Sequence, residues 1–206
     1  AQELSFDNLE LLTPAALVAE VELRNHSLQS LAAAVEAAQL RIVPAGALDD
    51  PTFSYMMLPR SIGSSIGYRH GATVSQSFPW PGKRDLQGAV ASQQRDVMRE
   101  GQAVTRLDVI AAAKASFAEW HYLHRAIEIN AASQSVLDEL VAVAQARYAS
   151  GRVSQQDVLR AEVELITLMQ QRLTLDQERT SVRASMNLLL NRDSDAALPT
   201  PAPLAP

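Results

Sequence analysis

Apolar residues recur at helical spacing over three long stretches of the chain. Between 14 and 43, Leu17, Val21, Leu28, Leu31 and Val35 form one stripe. Thr13 can cap this segment and Pro14 suits its first position, so the pattern predicts a helix over 14–43. The second predicted helix covers 85–149. Val90, Val97, Val104 and Ala111 recur there every seven residues, and Trp120, Leu123, Ile127, Leu137, Leu140, Val141 and Ala144 continue the stripe. Gly88 and Gly101 weaken its first third by ~1 kcal/mol each relative to Ala. The third predicted helix covers 154–191, with Leu168, Leu175, Val182 and Leu189 at seven-residue intervals and Ser154–Asp157 as a capping pair. Such repeats predict supercoiled packing against neighbouring helices.

Gly and Pro punctuate the chain in the same places. Neither occurs in 15–43, 102–150 or 152–198, and Gly151 stands alone between the last two runs. At 1.5 Å per residue the second helix is ~100 Å long. A compact domain of this size is nearer ~35 Å across, so the lengths predict a rod. The first and third helices, end to end, match the second. Between 44 and 82 Gly and Pro crowd together and the period changes. In 51–58 Phe53, Tyr55 and Met57 alternate with Thr52, Ser54 and Met56. In 67–78 Tyr68, His70, Ala72, Val74, Gln76 and Phe78 alternate with Arg69, Gly71, Thr73, Ser75 and Ser77. Alternation predicts a β-hairpin over 51–78 with a Ser/Gly-rich loop at 59–66. A lone hairpin is marginal in water, so these strands are expected to need partners. The Pro-rich stretch 199–206 reads as an extended linker tail.

Composition narrows the class. The 206 residues are 47% hydrophobic but only 5% aromatic, and Ala, Leu, Val, Gln, Glu and Arg dominate, as in long helices. The net charge of −5 argues against nucleic acid as a partner. The absence of cysteine removes disulfides, thiolate metal sites and a Cys nucleophile. No run of 18 apolar residues predicts a transmembrane helix. The chain begins at Ala1 without a signal-peptide pattern, as a mature or trimmed form of a secreted precursor would. No GxSxG, phosphate-cradling glycine loop or HExxH occurs, so an enzyme is not expected and no cofactor is assigned.

The order helix, strand, strand, very long helix, sharp turn, returning helix resembles the TolC-type outer-membrane efflux channels. Two motifs carry the resemblance. Ser75-Gln76-Ser77-Phe78-Pro79-Trp80-Pro81-Gly82-Lys83 is similar to the strand-to-helix junction of the heavy-metal, CzcC/CusC-like branch. Residues 146–159, ARYASGRVSQQDVL, resemble the helix–turn–helix at the periplasmic tip. The ending Met186–Arg192 before an Ala/Pro-rich stretch resembles the close of the family's first structural repeat. The resemblance covers roughly 14–200, and it implies a mainly α fold of long antiparallel coiled-coil helices with a β-hairpin, half of an α-barrel/β-barrel protomer. Family members carry two repeats per chain, and three chains build a twelve-stranded barrel over a helical tunnel. One repeat is present here, so the expectation is a piece, a trimmed form or a short natural form. Six copies would supply twelve strands.

The resemblance implies a passive conduit in a tripartite efflux system. Its expected partners are a periplasmic adaptor, an inner-membrane pump, outer-membrane lipid and further copies of itself, a trimer at full length. The expected location is the outer membrane, extending into the periplasm. The matching turn implies adaptor contact through Ser150, Gly151, Arg152 and Val153; the plain alternative for Gly151 is a C-cap glycine in a left-handed conformation. Arg147 and Asp157 can pair across the turn or stay solvated. Phe53, Tyr55 and Tyr68 suit a membrane-interface belt, or packing in a soluble hairpin. Trp80, between two prolines, suits a membrane boundary or a cover for the first helical turn. His121, His124 and Glu128 share a helical face, but two His three apart without a fixed third ligand arise commonly by chance, and no metal site is assigned. The alternative function is a soluble periplasmic coiled-coil adaptor or scaffold, separated from a channel by whether 51–78 forms membrane strands.

Overall fold

The computed structural model describes Phe6, residues 10–58 and residues 69–203. Its elements in chain order are β1 (Leu11–Leu12), α1 (Pro14–Arg24), α2 (His26–Leu40), α3 (Ile42–Ala45), β2 (Thr52–Leu58), β3 (Arg69–Ser75), α4 (Lys83–Ala149), α5 (Gln155–Leu189) and β4 (Thr200–Pro201). The chain forms two compact units. One holds the described residues up to Gln29 and from Val104 onward, and the other holds Ser30–Ala103.

In the first unit, α4 and α5 are joined by a short turn, and α1 packs beside them. Its core is Phe6, Leu12, Leu17, Val21, Ala113, Phe117, Trp120, Leu123, Val182, Met186 and Leu190. Leu17 and Val21 lie one turn apart on α1, as the predicted stripe requires. Val182 is buried and Leu168, Leu175 and Leu189 are partly buried, so the seven-residue repeat of α5 faces inward. Asn130 is buried within the helical pair. Its Nδ2 donates to Leu168 O (3.2 Å), and Gln134 Nε2 donates to Asn130 Oδ1 (2.9 Å).

Three expectations change. The helix expected over 14–43 is broken at Asn25, whose backbone is extended (ψ 117°). Asn25 Oδ1 accepts from the N–H groups of Ser27 and Leu28, the capping pattern that competes with helix continuation, while its Nδ2 donates to Leu189 O on α5. The tail is also not simply a linker. Leu11–Leu12 pairs in parallel with Thr200–Pro201, and Ala202 N–H donates to Leu12 O (2.8 Å). Leu12 and Pro201 are buried, so this strap closes one side of the core. Finally, Val90, Val97 and Val104 point outward, at 57%, 69% and 59% exposure. The inward face of that stretch instead includes Ala91, Gln102 and Thr105.

In the second unit, β2 and β3 form an antiparallel pair running from Thr52↔Ser75 to Leu58↔Arg69. β3 ends at Ser75, short of the expected residue 78, because β2 starts after Pro51 and offers no partner beyond Thr52. The loop expected at 59–66 and Tyr68 lie outside the described residues. Arg84 Nε donates to Gly46 O (2.8 Å), and Arg95 Nη1 donates to Gln39 Oε1 (2.7 Å), tying α4 to α3 and α2.

Candidate functional site

The turn between α4 and α5 is built by two backbone bonds. Gly151 N–H donates to Tyr148 O and Arg152 N–H to Arg147 O, both at 2.9 Å. This pairing satisfies the last carbonyls of α4 and requires a left-handed residue between them, which Gly151 supplies at φ +68°. Ser150 Oγ donates to Arg147 O (2.9 Å). Ser154 then starts α5: its N–H (3.1 Å) and its hydroxyl (2.8 Å) both donate to Asp157 Oδ2. Those bonds, the hydroxyl's first, hold the Asp157 carboxyl below its usual range, with Arg160 adding a smaller push. Asp157 is therefore committed to Ser154 rather than to Arg147. Ser150, Gly151 and Arg152 are exposed and Val153 is half-buried, so the four expected contact residues form one small projecting surface.

The hairpin sorts its side chains by face. Register places Phe53 opposite Val74, Tyr55 opposite Ala72 and Met57 opposite His70 on one face. Thr52 and Ser75, Ser54 and Thr73, and Met56 and Gly71 share the other. Tyr55 Oη and His70 Nδ1 are hydrogen-bonded at 2.7 Å. Phe53, Tyr55, Met57 and Val74 are all more than half exposed. Trp80, before the turn at Gly82, is 86% exposed and covers no helical turn.

Two further surfaces escape sequence reading. A groove of about 420 Å³ along α4 is lined by Leu86, Ala89, Val90, Val97 and Met98. Another of about 640 Å³, bordered by Tyr122, Ile129, Leu168 and Leu175, runs between α4 and α5. His124 is occupied by its own helix. Its Nδ1 donates to Trp120 O (3.0 Å), and its ring packs edge-on against Trp120 at 4.3 Å. Among the described residues no group of three His, Asp or Glu is placed to hold a metal, and no helix is long and apolar enough to cross a membrane.

A long helix, a tight turn, a returning helix and a two-faced hairpin agree with one family profile, that of the outer membrane efflux proteins, over residues 17–192. The chain belongs to the outer membrane efflux protein family. No curated protein matches it in sequence. Among solved structures it is similar to the outer membrane protein VceC of Vibrio cholerae, at 17% identity and TM-score 0.75, over 94% of this chain and 51% of that one. It is similar to CusC at 12% identity and TM-score 0.79, over 93% and 46%. The Campylobacter jejuni outer membrane channel CmeC follows at 13% and 0.72, over 87% and 41%. At these identities the likeness shows the fold, which is mainly α with long packed helices and a small hairpin: half of a TolC-type protomer. The chain spans about half the length of these structures. Members of this family are not enzymes, and the family places the chain at the outer membrane, reaching into the periplasm.

Proposed function

We propose that this outer membrane efflux chain supplies half of a protomer of an export channel, the passive outer-membrane conduit of a tripartite system. The hairpin carries the reading. One face bears Phe53, Tyr55, Met57, Ala72 and Val74 with His70 among them, and the other bears Thr52, Ser54, Thr73 and Ser75 with Met56 and Gly71 among them. Lipid outside and water inside a barrel ask for this sorting. A soluble scaffold has no use for a two-faced hairpin whose large apolar residues stay exposed. The conduit does no work of its own: an inner-membrane pump supplies the energy and a periplasmic adaptor joins pump to channel. The full-length protein closes its ring as a trimer.

Adaptor contact falls on Ser150, Gly151, Arg152 and Val153, which project from the α4–α5 turn and bond to no other element among the described residues. The finer assignment to heavy-metal export rests on the 75–83 junction sequence alone. Deleting the gene should then lower tolerance to transition-metal salts more than tolerance to organic antibiotics.

The deciding experiment places a charge on each hairpin face of the full-length protein. Phe53→Lys should sharply reduce recovery in the outer-membrane fraction, because a Lys facing lipid costs ~2–4 kcal/mol at the bilayer centre. Ser54→Lys should assemble normally. Equal recovery of both variants overturns the barrel reading. Arg152→Glu and Val153→Glu should reduce cross-linking to the adaptor while leaving membrane assembly intact, and unchanged cross-linking overturns the tip assignment.

A further inference from the structure

The seam between α4 and α5 carries polar residues where its periodicity calls for apolar ones. On α4 it runs through Ile127, Asn130, Gln134, Leu137, Val141 and Ala144, and on α5 through Val158, Ala161, Leu165, Leu168, Arg172 and Leu175. Steps of three and four alternate along both helices, and each of these residues is buried or half-buried. A second apolar stripe adjoins each seam. Ile129, Val136, Leu140 and Val143 stand one residue before seam positions of α4 and are 47–68% exposed. Leu159, Ile166, Met169 and Leu173 stand one residue after seam positions of α5 and are 48–65% exposed. On α4 the outward stripe is the more apolar of the two, since the seam holds Asn130 and Gln134. Burial of apolar area therefore does not by itself select the stripes that meet.

What selects them is a set of side-chain bonds to backbone that cross the seam in both directions. Asn130 Nδ2 and Gln134 Nε2 both donate to Leu168 O at 3.2 Å, and Gln134 Nε2 also donates to Asn130 Oδ1 at 2.9 Å. Arg172 Nη1 returns a longer bond of 3.4 Å to Ile127 O, while its Nε donates to Asp176 Oδ2 at 2.8 Å. A helix carbonyl keeps a lone pair beyond its own helical bond, so Leu168 O serves these donors only while it faces Asn130. If α5 turned its other stripe inward, Asn130 would stay buried without that acceptor, and an unmade buried bond is costly. The polar layer also stands at a boundary. Towards the base of the pair, Phe117, Trp120, Leu123, Val182 and Met186 share one buried core. Towards the turn, over residues 135–167, Val158 alone is buried, and the bond from Gln145 Nε2 to Glu162 Oε1 (3.1 Å) is exposed.

We propose that Asn130, Gln134 and Arg172 form a pairing lock. It selects the face of α5 that α4 buries beyond the core, and so holds the arm 135–167, with the turn at its end, in one orientation relative to the base. The lock belongs to the chain's own folding and stands whether or not the turn meets an adaptor.

The chain has no cysteine, so spin labels can be placed singly. Glu139→Cys and Glu178→Cys put one nitroxide on the arm side of α4 and one on the base side of α5, both at exposed positions. Double electron–electron resonance should give one narrow distance in the labelled chain. Adding Asn130→Leu and Gln134→Leu should broaden or split that distance while the urea unfolding midpoint stays level or rises. Apolar replacement of buried polar groups often leaves stability intact, and cores lose uniqueness before they lose stability. A merely stabilising role gives the opposite pattern, a lower midpoint with the distance unchanged. In the unaltered chain the side-chain amide protons of Asn130 should exchange with solvent more slowly than those of the exposed Gln177, a readout that needs no variant to fold. An unchanged narrow distance in the doubly substituted chain, a lowered midpoint, a broad distribution before the seam is altered, or exchange at Asn130 as fast as at Gln177 each overturns the proposal.

Discussion

Gly151 shows how little space and how much backbone decide a turn. A Cβ built there meets nothing within 4 Å, so sterics with neighbours do not oppose substitution. The left-handed φ of +68° does. Gly151→Val should therefore cost about 1–2 kcal/mol in urea unfolding, from the strain of a left-handed non-glycine residue, and Gly151→Asn markedly less. Asn191 makes the same point at the other end of α5. It sits at φ 51°, and Arg192 N–H donates to Asn187 O at 2.9 Å, repeating the geometry of the tip without glycine. Glu22 carries a different residue-scale signal. Arg106 Nε and Nη2 donate to its two carboxylate oxygens at 2.7 and 3.2 Å. Those bonds hold the Glu22 carboxyl below its usual range; desolvation opposes them, and the guanidinium charge adds a lesser push downward. A depressed native value means that the link contributes in full above the unfolded carboxylate range and is lost as pH falls through the native value. NMR titration of the Glu22 side chain should show this low value in the unaltered chain. Arg106→Gln should move it up toward that of a free glutamate.

At the scale of elements, the middle of α4 and its first third behave differently. Phe117 is 2% exposed and Trp120 4%, and both pack against α1, α5 and the strap residues in one core. Phe117→Ala should cost about 3–5 kcal/mol, the range for emptying a buried aromatic site. Val97 belongs to the seven-residue repeat Val90, Val97, Val104 but is 69% exposed. Val97→Ala should change the stability of this chain by less than about 0.5 kcal/mol, as surface substitutions do. Chemical denaturation of both variants checks the contrast; a large loss at Val97 would mean that its face is already covered. The strap belongs to this scale too. Trp120 Nε1 donates to Pro199 O (3.2 Å), and Asn187 Nδ2 donates to Ser194 O and Ala196 O at 3.1 and 2.8 Å. A buried asparagine at the end of α5 thus sets the path by which the chain reaches β1.

At the scale of the molecule, the hairpin supplies two strands, and β2 and β3 pair only with each other among the described residues. The smallest single-chain membrane barrels use eight strands. This chain by itself should therefore conduct no ions across a planar bilayer as a monomer, while joining it to a second repeat should give a membrane-embedded trimer. Sedimentation in detergent and conductance recording check both statements. A monomer that conducts would refute them.

Much of this was legible from periodicity. The long helix, its returning partner, the turn at Gly151 and the hairpin rest on interactions within a few residues, namely 3.6-fold and twofold side-chain patterns and the positions of Gly and Pro. The projecting turn Ser150–Val153 was readable for the same reason. The break at Asn25 carried only a faint local signal, an Asn followed by His26-Ser27. It becomes decisive when Asn25 Nδ2 finds Leu189 O, 164 residues away. The outward face of Val90, Val97 and Val104 could not be read either, because a repeat states that a helix has an apolar seam and not which neighbour meets it. The strap was invisible for the strongest reason. A Pro-rich stretch has few backbone donors and looks like a linker. Its ordering comes from Leu12, Trp120 and Pro201 excluding water together, and only the folded chain brings those three side by side.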